Sequence, residues 1–238
     1  MSASNTSNSS AKLSSKSYDA VLLDLDGTLM DTIPDLAIAV NAMLTELDFA
    51  TMPQAEISTY IGKGSDNLMR RILAKAQGGQ PASEALFLKG RDIYYAEYHK
   101  INGDNAVIFD GVLPGLERIQ SMGLKMAVVT NKNTEFTMPL LERTGLLRFM
   151  QGVVCGDTLT ERKPHPAPML HACSLLNTLP VRTCAVGDSI NDALSARAAG
   201  CSVLAVPYGY NEGQSVQTLD VDAIVESIEA AALWVAAR

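Results

Sequence analysis

The sequence predicts an α/β fold in which a parallel sheet carries helices on both faces and one all-helical block is inserted into it. Three observations lead there. Short runs of β-type residues alternate with amphipathic helical stretches over short connections, an order that builds parallel sheets. A single long interval, 33–108, breaks that rhythm and carries helical periodicity alone. A length of 238 residues suits one large domain, or one domain with an insertion.

Taken in order, residues 1–17 are rich in Ser and Asn, with Leu13 as their one large aliphatic. A disordered tail is expected there. It lacks both the apolar segment of a secretory signal and the arginines of a transit peptide, so a cytoplasmic protein is expected. The α/β core should occupy 18–32 and 109–238, opening on a strand at Ala20–Leu23. The inserted block should occupy 33–108. Within it Leu36, Val40, Met43, Leu44 and Leu47 fall on one helical face, Leu68, Ile72 and Ala76 on another, and Leu86, Ile93 and Ala96 more loosely on a third. Pro34 on the way out, and Gly111, Pro114 and Gly115 on the way back, suit two connections able to flex as a hinge. Further strands are expected at 126–129, 153–154, 184–186 and 203–206, and helices at 134–144, 167–176 and 190–199.

Composition narrows the function. The chain is 47% hydrophobic with a net charge of −7, which argues against nucleic acid or an anionic membrane surface as the main partner. A small anionic substrate remains open, since it needs only a few local cations. Cys155, Cys173, Cys184 and Cys201 show no CxxC spacing and no histidine cluster, so they read as apolar filler in a reducing compartment. No stretch reaches the roughly 18 apolar residues of a membrane span.

The chemistry starts at Asp24-Leu25-Asp26-Gly27-Thr28, directly after the first strand. Two aspartates alternate in direction on an extended chain. If the strand stops at Asp24 and bends at Gly27, both can face one small volume and hold a divalent cation. Asp and Gly also make ordinary turns after strands, so this segment alone serves either reading. Three other elements join it: Thr130-Asn131 after the second core strand, Lys163 beyond 153–154, and Asp188 with Asp192 after 184–186. Ligands of open parallel sheets sit beyond the carboxyl ends of the strands, so all four elements should converge. Paired carboxylates, a hydroxyl and an ammonium suit phosphoryl transfer. One carboxylate can attack phosphorus, a second can protonate the leaving group, and cations can offset the phosphoryl charge. An oxygen-only acidic set without histidine or cysteine suits Mg²⁺.

These residues resemble the motifs of the haloacid dehalogenase superfamily of aspartyl phosphatases: Asp24 to Leu29 (DLDGTL), Thr130-Asn131, Lys163-Pro164, and Gly187-Asp188-Ser189 with Asp192. The resemblance spans nearly the whole chain after Tyr18. It implies a Rossmann-like parallel-sheet core with the helical block as its cap. It also implies Asp24 as nucleophile, Asp26 as acid/base, and Mg²⁺ held by Asp24, the Asp26 carbonyl and Asp188, with Asp192 supporting the metal indirectly. Thr130 and Lys163 would bind phosphate oxygens, Thr28, Asn131 and Gly27 would border the substrate, and Thr28 would also orient Asp26. Dehalogenases of the superfamily lack the second aspartate, so Asp26 argues against carbon–halogen cleavage.

Further stretches resemble the bacterial phosphoglycolate phosphatases within it: Asp31-Thr32-Ile33-Pro34-Asp35-Leu36, Gly62-Lys63-Gly64, Val128-Val129-Thr130-Asn131-Lys132, Lys163 to Pro168 (KPHPAP) and Tyr208-Gly209-Tyr210-Asn211. Ile108 to Val112 departs from the proline-rich turn of that group. The likeness implies hydrolysis of 2-phosphoglycolate to glycolate and phosphate, with Lys63 reaching into the closed site to pair with the substrate carboxylate. A sugar or amino-sugar phosphate or a nucleotide is the alternative substrate, and phosphomutase the alternative reaction. The partner implied is a small phosphorylated metabolite, and the protein a monomer or homodimer.

Overall fold

The computed structural model describes residues 18–238; the tail expected over 1–17 lies outside them. In chain order, β1 (Ala20–Leu23) and β2 (Met30–Asp31) lead into α1 (Ile33–Glu46), α2 (Gln54–Ile57), α3 (Ser65–Ala76) and α4 (Glu84–Ile101). The chain returns through β3 (Val107–Ile108) to α5 (Val112–Ser121), β4 (Lys125–Val129), α6 (Thr134–Arg143) and β5 (Gly152–Val154). It finishes with α7 (Ala167–Leu175), β6 (Thr183–Gly187), α8 (Ile190–Ala199), β7 (Ser202–Ala205), β8 (Ala223–Ile224) and α9 (Ile228–Ala236).

The main sheet runs β5-β4-β1-β6-β7-β8, with all neighbours parallel. Its central strand, Ala-Val-Leu-Leu, is buried throughout, as a strand covered on both faces must be. Alternate residues serve opposite layers. Val21 and Leu23 join α5 and α9 side chains such as Leu116 and Ala232. Ala20 and Leu22 join Met169 of α7 and Ala196 of α8 on the other face.

Four features were not expected from the periodicity: α5, β8, α9 and the two-stranded ribbon β2–β3. The ribbon pairs Met30 with Ile108 and Asp31 with Val107, antiparallel. It corrects the expectation that 33–108 holds no strand. Strands of two residues cannot display a period, and their pairing exists only once distant segments meet.

The helices α1 to α4 enclose a separate apolar cluster that includes Met43, Leu44, Ile57, Ile72 and Phe87. On α4 the buried face is Phe87, Gly90, Tyr94 and Tyr98, whereas Ala96 is exposed. That corrects the stripe expected through Ala96: the aromatic rings bury more area than alanine and set the face. Tyr94 stacks on Tyr98 at 5.5 Å, and Tyr98 meets Phe136 of α6 at 4.7 Å.

Asp35, in the first turn of α1, is fully buried. Its carboxylate accepts from the Gly103 amide at 2.8 Å and from the Asn105 amide and side chain, each at 2.9 Å. It thereby ties the exit of the helical block to its start. Asp35→Ala orphans these donors and is expected to cost about 3 kcal/mol, measured by denaturant unfolding. No helix among the described residues is long and apolar enough to cross a membrane.

Candidate active site

Asp24, Thr130 and Asp188 each follow directly on the last residue of a neighbouring strand: β1, β4 and β6. Parallel register brings these ends side by side, and the Asp24 amide is bonded to the Val186 carbonyl at 3.0 Å. Lys163 enters from the segment after β5. Its ammonium donates to Asp24 Oδ1 at 2.6 Å, Asp192 Oδ1 at 2.7 Å and the Val129 carbonyl at 2.6 Å, which engages all three protons. Burial pulls the Lys163 pKa down, but the Asp192 and Asp24 carboxylates outweigh it, so the net shift is upward. Burial pushes the Asp24 carboxyl well up against the opposing pull of Lys163. Asp188 is pushed up to about 7 by burial and then by the Asp192 charge.

Asp192 also accepts from the Ser189 hydroxyl at 2.6 Å and amide at 3.2 Å, forming a capping box at the start of α8. Asp24, Asp188 and Asp192 each offer a buried oxygen, all within 4.8 Å of one another. Counting Asp26 as well, four aspartates face two ammonium groups, Lys163 and Lys132. A site of that formal charge repels phosphate unless a cation joins it. Hard oxygen donors without histidine or cysteine fit Mg²⁺.

Asp26 shares the cavity with Asp24, Thr130, Asn131, Lys163 and Asp188. Its Oδ1 accepts from Thr32 Oγ1 at 2.6 Å and Lys132 Nζ at 2.9 Å. Thr28 was expected to orient Asp26 and border the substrate. Instead it is fully buried, and its hydroxyl donates to Asp188 Oδ1 at 3.1 Å. The reason is the turn after β1. The Leu25 carbonyl takes the Leu29 and Met30 amides, and Gly27, at φ +91°, swings Thr28 back toward the end of β6. A Cβ on Gly27 would lie 2.5 Å from Asp188 Oδ2. Gly27 therefore backs the carboxylate rather than facing the cavity.

Lys63 departs further from expectation. Its ammonium pairs with Glu212 at 2.6 Å, where Arg71 also binds, and it does not line the cavity. The flanking glycines do. Gly64 has a φ of +84°, which disfavours any side chain, and a Cβ there would lie 2.9 Å from Arg162 Nη1 and 3.1 Å from the Asn131 carbonyl. Asn131 clamps this loop to the core: its Nδ2 donates to the Gly62 and Lys163 carbonyls, each at 2.9 Å, and its Oδ1 accepts from the Lys163 amide at 3.0 Å.

Three site residues escaped the sequence reading. Lys132 is buried and donates to Tyr98 Oη at 2.6 Å as well as to Asp26. It closes the Val128 to Lys132 stretch singled out above, where no role was assigned to it, and that position was the available signal. Tyr94 of α4 lines the cavity and carried no local signal. Tyr210, in a stretch already singled out, joins the ribbon to the site. Its hydroxyl donates to Asp31 at 2.5 Å and accepts from the Thr32 amide at 2.9 Å, while its own amide donates to Asp188 Oδ2.

A family model described as haloacid dehalogenase-like hydrolase matches residues 21–206. The phosphoglycolate phosphatase of Thiobacillus denitrificans is 46% identical over 216 residues, covering 91% of this chain and 95% of that protein. That of Nitrosospira multiformis is 47% identical over 209 residues, covering 88% and 92%. The crystal structure of a predicted phosphoglycolate phosphatase from Haemophilus somnus matches with a TM-score of 0.85 at 31% identity, covering 89% of this chain and 95% of that one. With its parallel sheet, its acidic strand-end cluster and a family match across most of its length, the chain belongs to the haloacid dehalogenase-like hydrolase family.

Proposed function

We propose that this protein is a Mg²⁺-dependent phosphomonoesterase that hydrolyses 2-phosphoglycolate to glycolate and phosphate through an aspartyl phosphate on Asp24. The observation that carries the reading is the pairing of two buried-site carboxylates in one cavity, one held by Lys163 and the other by Thr32 and Lys132. Lys163 engages one oxygen of Asp24 and leaves the second to attack phosphorus. As the ester bond breaks, Asp26 gives its proton to the leaving glycolate oxygen. It then takes a proton from the water that hydrolyses the acyl phosphate and restores Asp24. Thr130 and Lys163 line the same cavity and would border the phosphoryl oxygens. Mg²⁺, held by Asp24, Asp188 and the Asp26 carbonyl with Asp192 behind them, would offset the charge of the phosphoryl group. Leu36, Ile61 and Leu68 wall the cavity from the helical block and limit water at the acyl phosphate.

The names of the relatives support 2-phosphoglycolate. All four cysteines are buried as small apolar side chains, which fits a reducing, cytoplasmic setting. Phosphate release with Mg²⁺ should be measured for 2-phosphoglycolate, hexose phosphates, amino-sugar phosphates and nucleoside monophosphates. The highest kcat/KM is expected for 2-phosphoglycolate. A sugar phosphate in first place would keep the mechanism and overturn the substrate.

Metal dependence has its own readout. Chelation should stop turnover, and Mg²⁺ at 100 times its Kd should stabilise the metal-free protein by about 2.7 kcal/mol. Asp188→Asn should abolish that thermal shift. A wild-type melting curve indifferent to Mg²⁺ would remove the metal site from the proposal.

A further inference from the structure

The cavity is lined by two chemically different sets of residues. One is Asp24, Thr130, Lys163 and Asp188, around the position proposed for phosphate; the other is Leu36, Leu68 and Tyr94 of the helical block together with Lys132 of the core. Two donors there stand out. The Tyr94 hydroxyl is fully buried and has no hydrogen-bond partner among the described residues. Burial pushes its pKa well up, so it keeps its proton. Buried polar groups are seldom left unpaired in native proteins. The Lys132 ammonium spends two protons on Asp26 and Tyr98, which leaves a third to give.

We infer that Lys132 and Tyr94 form the subsite for the non-transferring end of the substrate, and that the group they take is a carboxylate. This rests on the proposed phosphomonoesterase reading, which sets the phosphate at Asp24. Both groups are donors and one is charged, so the complementary ligand is an anionic acceptor with two oxygens. A second phosphate would bring a charge near −2 against one ammonium already shared with Asp26. A neutral hydroxyl would leave that ammonium without the charge it can offset.

The spacing selects a short ligand. Lys132 Nζ lies 2.9 Å from Asp26 Oδ1. Asp26 must come within hydrogen-bond reach of the bridging ester oxygen, so that oxygen sits within about 6 Å of Nζ, two hydrogen-bond lengths. One carbon between ester oxygen and carboxylate spans this gap. Lys63, paired with Glu212 outside the cavity, has no part in it.

The test is calorimetric, on the Mg²⁺-loaded protein, with two uncleavable ligands. In 3-phosphonopropionate a methylene replaces the bridging oxygen of 2-phosphoglycolate; propylphosphonate is the same chain with a methyl in place of the carboxylate. Wild type should bind 3-phosphonopropionate at least about tenfold more tightly, as expected for hydrogen bonds to a charged group. Tyr94→Phe, which keeps the ring and its stacking, should cut that ratio several-fold, and Lys132→Met should bring it near unity. Lys63→Ala should leave it intact. Equal affinities in wild type, or a ratio untouched by both Tyr94→Phe and Lys132→Met, would overturn the subsite. Turnover of 2-phosphoglycolate is read alongside. A high ratio without turnover supports the subsite and overturns the substrate reading; turnover with a ratio near unity does the reverse.

Discussion

Asp24→Asn is expected to reduce phosphate release by about four orders of magnitude or more, with the fold intact. The amide offers no anionic oxygen to attack phosphorus, so the covalent step is lost outright rather than slowed by misplacement. Stability should hold or rise. Burial already disfavours the charged form of this carboxyl, and the amide oxygen can still accept from Lys163. Two measurements decide it: phosphate release on the preferred substrate, and intact mass after rapid quenching, where wild type alone should carry the phosphoryl adduct. An Asp24→Asn variant that releases phosphate at the wild-type rate would end the aspartyl-phosphate mechanism.

Lys163→Met is expected to fail in both activity and stability. The ammonium is the shared partner of Asp24, Asp192 and the Val129 carbonyl. Removing it leaves two buried carboxylates facing each other, a loss of about 3–5 kcal/mol. For a chain of this size that lowers Tm by about 10 °C. The pH dependence follows from the direction of the shifts. Carboxyls raised in the folded state, Asp24 by burial and Asp188 to about 7, contribute stability below their unfolded pKa that is lost as pH rises through the folded value. With the ammonium gone the Asp24 carboxyl moves further up, so the deficit of metal-free Lys163→Met should be larger at pH 8 than at pH 5. Melting curves at both values check this; an equal deficit would mean that Lys163 contributes packing rather than charge.

Much of this site lies in local sequence. A carboxylate or hydroxyl immediately after a buried apolar run is delivered to the strand end by geometry alone, as at Asp24, Thr130 and Asp188. Lys163 belongs to the same order, because the parallel sheet brings the segment after β5 to the same edge. The helical periodicity of α1 and α3 likewise shows in the spacing of Leu36, Val40 and Met43, or of Leu68 and Ile72.

Other features depend on what meets across the fold. Lys63 sits in a loop that suggests substrate contact, yet Glu212, far away in sequence, captures its charge. Thr28 is two residues from Asp26 but faces Asp188, because the turn at Gly27 reverses its direction. Thr32 takes the place beside Asp26, and Lys132 joins it there. The ribbon β2–β3 exists only when the two ends of the helical block pair, and α4 buries its tyrosines rather than the stripe through Ala96.

The sequence by itself determined the α/β class, the inserted helical block and the identity of the residues at the strand ends. Each of these follows from backbone periodicity and the order of apolar runs along the chain. Only the tertiary structure decided that Lys132 rather than Lys63 lines the cavity, which hydroxyl holds which carboxylate, and that Tyr94 and Lys132 border one space. A side chain's direction and charge partner are set by whatever packs against it from elsewhere in the fold, and no local pattern encodes that neighbour.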